Sequence, residues 1–135
     1  MNVTDLDGNV SKWNLSGYIA KGSMSNKSSL HLKARDLIKD CHPTLQVLEE
    51  VPITPRRSET LYLDFYLPLL KTCIEVHGEQ HYKFVAFYHT NKLGFFKHKK
   101  RDQAKKDWCE LNDISIIELS YEEELEEWKR KINDT

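Results

Sequence analysis

The chain has 135 residues and a mass of 15.9 kDa, enough for one domain with a single core. With 39% hydrophobic and 30% charged residues, its composition excludes a disordered or fibrous protein. The formal charge is −1, from 20 basic and 21 acidic residues, and as a bare total it argues against a nucleic-acid binder.

No apolar run approaches the roughly 20 residues that span a bilayer, so no membrane partner is expected. The start, MNVTDLDGNV, lacks the basic-then-apolar order of a signal peptide, which makes a cytoplasm the expected compartment. Cys41, Cys73 and Cys109 lie far apart without CxxC spacing. They read as small buried hydrophobes rather than a disulfide or zinc framework.

Residues 1–20 read as a small β-rich appendage. Asp7-Gly8-Asn9 is a turn signal, and Val10, Trp13, Leu15, Tyr18 and Ile19 give it apolar surface. Residues 21–29, KGSMSNKSS, are polar and Gly/Ser-rich and read as a linker. The expected division is therefore 1–26 for the extension and linker, and 27–135 for the main domain.

A first helix is expected over Ser29–Asp40. It is capped by Ser28 or Ser29, has Leu30, Ala34, Leu37, Ile38 and Cys41 on one face, and ends at Pro43. Leu45–Val51 reads as a short strand closed by Pro52 and Pro55. In Leu61–Leu67, Leu61, Leu63, Phe65 and Leu67 alternate with Tyr62, Asp64 and Tyr66, a period of two. Pro68–Lys71 is short enough to imply an antiparallel hairpin into a strand over Thr72–His77.

Residues 78–96 read as a loop carrying Tyr82, Phe84, Phe87, Tyr88, Phe95 and Phe96, of which all but Tyr88 are candidates to stack on or wedge between unpaired bases. A helix is expected over Lys97–Asn112, then a strand over Ile114–Leu119. Ser120–Glu123 has a capping-box pattern and is expected to open a last helix with Leu125, Trp128 and Ile132. Trp13, Trp108 and Trp128 are expected in the core. The order after residue 28 is α-β-β-β-α-β-α.

Charge is unevenly distributed along this order. Residues 97–106 hold six Lys/Arg against Asp102, and residues 118–127 hold six Glu and no base. Lys97, Lys99, Lys100, Arg101, Lys105 and Lys106 thus form a candidate phosphate-binding stripe. The near-zero total hides two opposed patches.

Three polar residues interrupt apolar strands: Asp64 in LYLDFYL, and Glu75 and His77 in CIEVHG. Alternation puts Glu75 and His77 on one strand face, and a suitable register brings Asp64 beside them. Two carboxylates on adjacent strands can hold Mg²⁺, which favours oxygen ligands and keeps several waters. Such a metal polarises a phosphoryl oxygen and acidifies bound water. His77 beside it could orient or deprotonate that water, and His81, after Gly78-Glu79-Gln80, is a second candidate.

Asp64 followed eleven residues later by Glu75-Val76-His77 resembles the PD-(D/E)xK nuclease motif, with His in place of Lys. The runs LDFYLPLLKTCIEVHGEQHY and RDQAKKDWCELNDISIIEL resemble more closely its very-short-patch-repair-like branch of small phage and giant-virus nucleases and related homing endonucleases. The likeness covers about residues 27–119. It implies an α/β, restriction-endonuclease-like core (α-β-β-β-α-β) with a mixed central sheet flanked by helices and a C-terminal helix.

The likeness also implies a metal-dependent DNA endonuclease using Mg²⁺, with Mn²⁺ as a substitute. Asp64 and Glu75 would be metal ligands, with the carbonyl of Val76 a further one. His81 would be a base or phosphate contact, Asp102 would match an acid on the following helix, and Lys105 or Lys106 would contact phosphates. DNA is the implied partner, and the small surface leaves room for a homodimer or a partner protein. A phage-encoded member would act in its host's cytoplasm.

Two positions depart from the branch. Its first helix often carries a glutamate, whereas NKSSLHLKARDL has Leu30 or His31 near that place, with Glu49, Glu50 and Glu59 as substitutes. At His77 the branch tends to have Asp. The alternatives are therefore a catalytically degenerate nuclease-fold module that only binds DNA, or a protein-binding adaptor or inhibitor.

Overall fold

A computed structural model describes residues 1–15, 29–78 and 92–134. The chain opens with a hairpin, β1 (Asn2–Thr4) and β2 (Val10–Lys12), paired antiparallel. Its turn uses Gly8 at φ +89°, a conformation glycine adopts without a Cβ penalty. Then come α1 (Ser29–Cys41), β3 (Leu48–Arg56), β4 (Glu59–Leu67), a 3-10 turn (Pro68–Leu70) and β5 (Thr72–His77). The chain finishes with α2 (Lys92–Leu111), β6 (Ser115–Ser120) and α3 (Leu125–Asn133).

The fold is mixed α/β. The four-stranded sheet has the order β3-β4-β5-β6, antiparallel between β3, β4 and β5 and parallel between β5 and β6. One apolar cluster joins the sheet to α2 and the hairpin, through Val3, Trp13, Ala104, Trp108 and Cys109. The other joins it to α1 and α3, through Ala34, Leu37, Ile38, Trp128 and Ile132. The sheet is thus covered by helices on both faces.

The hairpin is part of the first cluster. The Trp13 ring lies 4.8 Å from Tyr66 and 5.0 Å from Trp108, and its indole N–H donates to the Pro52 carbonyl at 3.0 Å. The Asn112 side chain accepts from the Thr4 N–H and donates to the Thr4 carbonyl. All three tryptophans are buried, as are Cys73 and Cys109.

Several sequence expectations need correction. β3 does not stop at Pro52 but runs through Pro52 and Pro55 to Arg56. It is an edge strand, where a missing N–H costs no ladder bond on the open side. α2 begins at Lys92, so Phe95 and Phe96 are helical rather than in a loop. Tyr82, Phe84, Phe87 and Tyr88, and residues 16–28 with all of the expected linker except Ser29, lie outside the described residues.

The Ser120–Glu123 pattern closes a turn ahead of the last helix instead of capping it. Glu123 accepts from the Ser120 N–H at 2.8 Å, but the residue preceding the first turn of α3 is Glu124.

The alternation in β4 breaks at its middle. Leu61 and Leu63 enter the cluster under α2, whereas Phe65 and Leu67 enter the one under α1. β3 switches in step, with Val51 and Ile53 on the α2 side while Glu49 meets α1 residues. Between the pairs Glu49–Phe65 and Val51–Leu63, Glu50 takes φ +50° opposite Asp64. One left-handed residue rotates the strand enough to exchange its faces.

Candidate functional site

The ladder between β4 and β5 pairs Phe65, Tyr66 and Leu67 with Ile74, Cys73 and Thr72. At the next pair, Asp64 and Glu75, side chains take over from backbone. The Asp64 N–H donates to Glu75 Oε2 at 2.7 Å, and the Val76 N–H donates to Asp64 Oδ2 at 2.9 Å. β5 continues beside β6 as far as His77–Ser120, and β4 continues beside β3. The two carboxylates therefore sit at a fork, each tied to the other strand.

Glu75 is 2% exposed. Burial, then the neighbouring Asp64 charge, pushes its pKa up to about 8 against the pull of Lys105. Lys105 reaches in from α2 and places Nζ 2.8 Å from Glu75 Oε1. Burial disfavours its charge, but the fields of Glu75, Asp64 and Asp102 outweigh this and raise its pKa. The lysine is thus held protonated among three acids.

Beside this group lies a second network. Glu118 pairs in register with Glu75 on the parallel strand β6. Its carboxylate meets His77 Nδ1 at 3.2 Å and Lys106 Nζ at 2.8 Å. Consecutive lysines on α2 therefore reach consecutive strands. Sequence reasoning missed Glu118, although it interrupts an apolar strand, SIIEL, just as Asp64 does.

Where the strands part, an open cleft of about 360 Å³ lies between the β4 stretch Thr60–Asp64 and α2. Tyr62, Asp64, His98, Arg101, Asp102 and Lys105 border it. The four α2 residues recur at three- and four-residue spacing and so share one helix face. His98 Nε2 is 4.0 Å from Asp102 Oδ1.

The structure thus brings together Asp64, Glu75, the Val76 backbone, Asp102 and Lys105. It places His77 and Lys106 in the adjoining network. Lys97, Lys99, Lys100 and Arg101 are exposed along α2. His81 lies outside the described residues.

On the α1 side, His31 is buried. It stacks on Phe65 at 4.4 Å and bonds Glu49 Oε1 at 2.7 Å, which Arg35 also reaches at 2.9 Å. Burial works against the Glu49 charge, but hydrogen bonds from Arg35 and His31 hold its pKa below the ordinary value. Glu49 is thus committed to α1 through His31 and Arg35.

Among the described residues, no group of three or more His, Cys, Asp or Glu is placed to hold a metal. The fork carboxylates are instead engaged within the chain, Asp64 by the Val76 N–H and Glu75 by the Asp64 N–H and Lys105. Among the described residues, no helix is long and apolar enough to cross a membrane.

The chain is similar to three viral proteins. One is Uncharacterized protein 307L of Invertebrate iridescent virus 6, 41% identical over 72 residues, which are 52% of this chain and 36% of that protein. Another is Uncharacterized protein 033L of Invertebrate iridescent virus 3, 33% identical over 67 residues, 50% of this chain and 34% of that protein. The third is Uncharacterized protein 094L of Frog virus 3, 34% identical over 82 residues, 59% of this chain and 53% of that protein. The matches span between about a third and about half of these relatives. No protein-family profile matches the chain, and no solved structure does.

Proposed function

We propose that the protein is a metal-dependent DNA endonuclease with a restriction-endonuclease-like core, hydrolysing phosphodiester bonds at the fork of β4 and β5. One observation carries this reading. Asp64 and Glu75, the two acids of the nuclease-like motif, are clamped side by side, with the Lys105 ammonium on Glu75. A carboxyl pair of this kind, with one member buried and its pKa raised, is costly to build into a small domain and suits a cation and a phosphate.

Asp64 and Glu75, with the Val76 carbonyl, would hold Mg²⁺, and Mn²⁺ would substitute. When bound, the metal supplies Lewis acidity toward a phosphoryl oxygen and an acidified water. The remaining work belongs to the chain. Lys105, reaching from α2, supplies the ammonium that the motif otherwise carries two residues after the glutamate, where this sequence has His77. Its fixed charge stabilises negative charge developing on phosphate. His77, held through Nδ1 by Glu118, or His81 accepts the proton of the attacking water. Lys97, Lys99, Lys100 and Arg101 hold the DNA backbone along α2.

The test is incubation of the purified chain with supercoiled, mismatched and branched DNA, with and without Mg²⁺ or Mn²⁺. Metal-dependent nicking or cutting that disappears in Asp64→Ala is expected. Failure to cut any of these substrates, or cutting by Asp64→Ala at the wild-type rate, removes the reading.

A second reading is favoured by one observation: both Glu75 oxygens are already engaged, by the Asp64 N–H and by Lys105. A self-neutralised site is what a nuclease-fold module that binds DNA without cutting would show. Calorimetric titration with Mg²⁺ separates the two, since only the catalytic site takes up the metal.

A further inference from the structure

The β3–β4 hairpin carries a one-residue bulge near its tip. Ile53 pairs with Leu61 but Arg56 pairs with Glu59, so β3 spends one residue more than β4 over this stretch. Leu61 and Leu63 pack under α2, and alternation puts Glu59 on that same face. Arg56, directly opposite Glu59, is therefore turned toward α2 as well, and its Nη1 lies 3.5 Å from Glu59 Oε1. Without the bulge, alternation from the buried Ile53 would turn Arg56 to the other face.

The helix meets this arginine with cations of its own. Lys97, Lys100 and Arg101 lie on the α2 face that buries Ala104 and Trp108 further along. Four cations and one acid, Arg56, Lys97, Lys100, Arg101 and Glu59, border one open cleft of about 220 Å³ between the hairpin and the helix. Arg56 and Lys100 also border a second cleft together, where Asp107 accepts from Gln103. Among the described residues, no carboxylate is within ion-pair distance of Lys97, Lys100 or Arg101, whereas Lys105 and Lys106 are each taken by a glutamate. Arg101 borders the cleft at the strand fork too, so the basic cleft adjoins the candidate site. Like charges gathered from two elements repel one another unless an anion joins them.

We propose that the basic cleft holds a backbone phosphate of DNA, other than the one at the fork, between Arg56 of the hairpin and Lys100 of α2. The proposal rests on the reading of the chain as a protein that acts on DNA, and it adds the β3–β4 hairpin as a second wall facing α2. The planar guanidinium matches two phosphate oxygens, and the ammonium adds a point charge. An open cleft lets a strand pass through, which suits an internal phosphodiester rather than a chain end.

The test compares wild type with Arg56→Gln, Arg56→Lys, Lys100→Gln and the double variant Arg56→Gln/Lys100→Gln, each first shown to be folded by circular dichroism. Lys39→Gln, on α1 at the opposite face of the sheet, controls for the loss of one charge. Fluorescence anisotropy in EDTA, so that no cutting occurs, follows binding of a labelled duplex across a salt series. Arg56→Gln is expected to lower the magnitude of the slope of log K against log salt by about 0.9, the share of one phosphate. Affinity should fall roughly tenfold, the weight of a hydrogen bond to a charged group. Arg56→Lys keeps the slope, and Lys39→Gln leaves slope and affinity unchanged. The double variant should lose well under the roughly hundredfold product of two independent contacts, because each single variant forfeits the same phosphate.

A wild-type slope in Arg56→Gln overturns the proposal, and a fully multiplicative double variant overturns the sharing of one phosphate. The same duplex with and without terminal phosphates is expected to bind alike. Dependence on Arg56 that is confined to phosphorylated ends overturns the assignment to the backbone. The two readings fail separately. Metal-dependent cutting with a slope indifferent to Arg56 leaves the nuclease and removes this site. An Arg56-dependent slope without cutting does the reverse.

Discussion

The Lys105 ammonium lies 2.8 Å from Glu75 Oε1, joining the middle of α2 to the buried acid at the strand fork. Burial holds the Glu75 proton on to a pH of about 8, and Lys105 pulls against it. Where Glu75 is ionised, removing its partner leaves a buried charge uncompensated, at a cost of about 3–5 kcal/mol. Lys105→Met is therefore expected to lose that much stability at pH 9 in EDTA, and much less at pH 6. Mg²⁺ should restore part of it, raising the Tm of the variant more than that of wild type. Thermal melts of both proteins with and without Mg²⁺ check this.

Glu75 keeps its proton to a pH of about 8, against an ordinary value of 4.5. Between those values the folded chain binds more protons than the unfolded one, so stability falls as pH rises. This contribution is complete below 4.5 and is lost once the pH passes about 8. Urea denaturation from pH 5 to pH 9 should show the decline in wild type, and Glu75→Gln should remove it.

Glu49 behaves in the opposite sense. Its pKa lies below 4.5, so it stabilises the fold above that pH and ceases to do so as pH falls through its lowered value. Glu49→Gln removes a charged acceptor from both His31 and Arg35. At neutral pH it should cost about 1.5–3 kcal/mol, the range for hydrogen bonds to charged groups. Acid titration followed by circular dichroism should then show a shallower unfolding limb than in wild type.

Trp13 links the hairpin to the central layer through Tyr66, Trp108 and the Pro52 carbonyl. Trp13→Ala should cost about 3–5 kcal/mol, as other buried aromatic truncations do. Amide exchange should accelerate in β3 near Pro52 and in α2 near Trp108 before it does so in α1. Uniform acceleration across the chain would show that the hairpin is not a local brace.

The elements could be read from the chain where pattern and punctuation agree. β5 runs from Thr72 to His77 as its alternation and the Pro68–Lys71 turn indicate, and α1 follows its apolar spacing. The sequence pattern stops β3 short, because Pro52 marks a strand end unless the strand lies at an edge, which is a tertiary fact.

The face exchange at Glu50 and Asp64 could not be read, because a glutamate carries no signal for positive φ. Asp64, Glu75 and His77 stood out as polar breaks in apolar strands. The Lys105 contact did not, because helical spacing gives the face of α2 but not the point where β4 leaves β5.

The α2 cations divide into two kinds, and DNA binding should separate them. Lys97, Lys99, Lys100 and Arg101 are exposed, whereas Lys105 and Lys106 are engaged by Glu75 and Glu118. Each phosphate contact contributes about 0.9 to the slope of log K against log salt on duplex DNA. Lys97→Gln or Lys100→Gln should therefore lower the magnitude of that slope by about 1, with little change in fold stability. Lys106→Gln should change the slope much less, because its ammonium already neutralises a carboxylate. Anisotropy titrations across a salt series give these slopes directly. Equal losses from Lys97→Gln and Lys106→Gln would mean that Glu118 releases its lysine when DNA arrives, making the His77–Glu118–Lys106 network part of the binding surface.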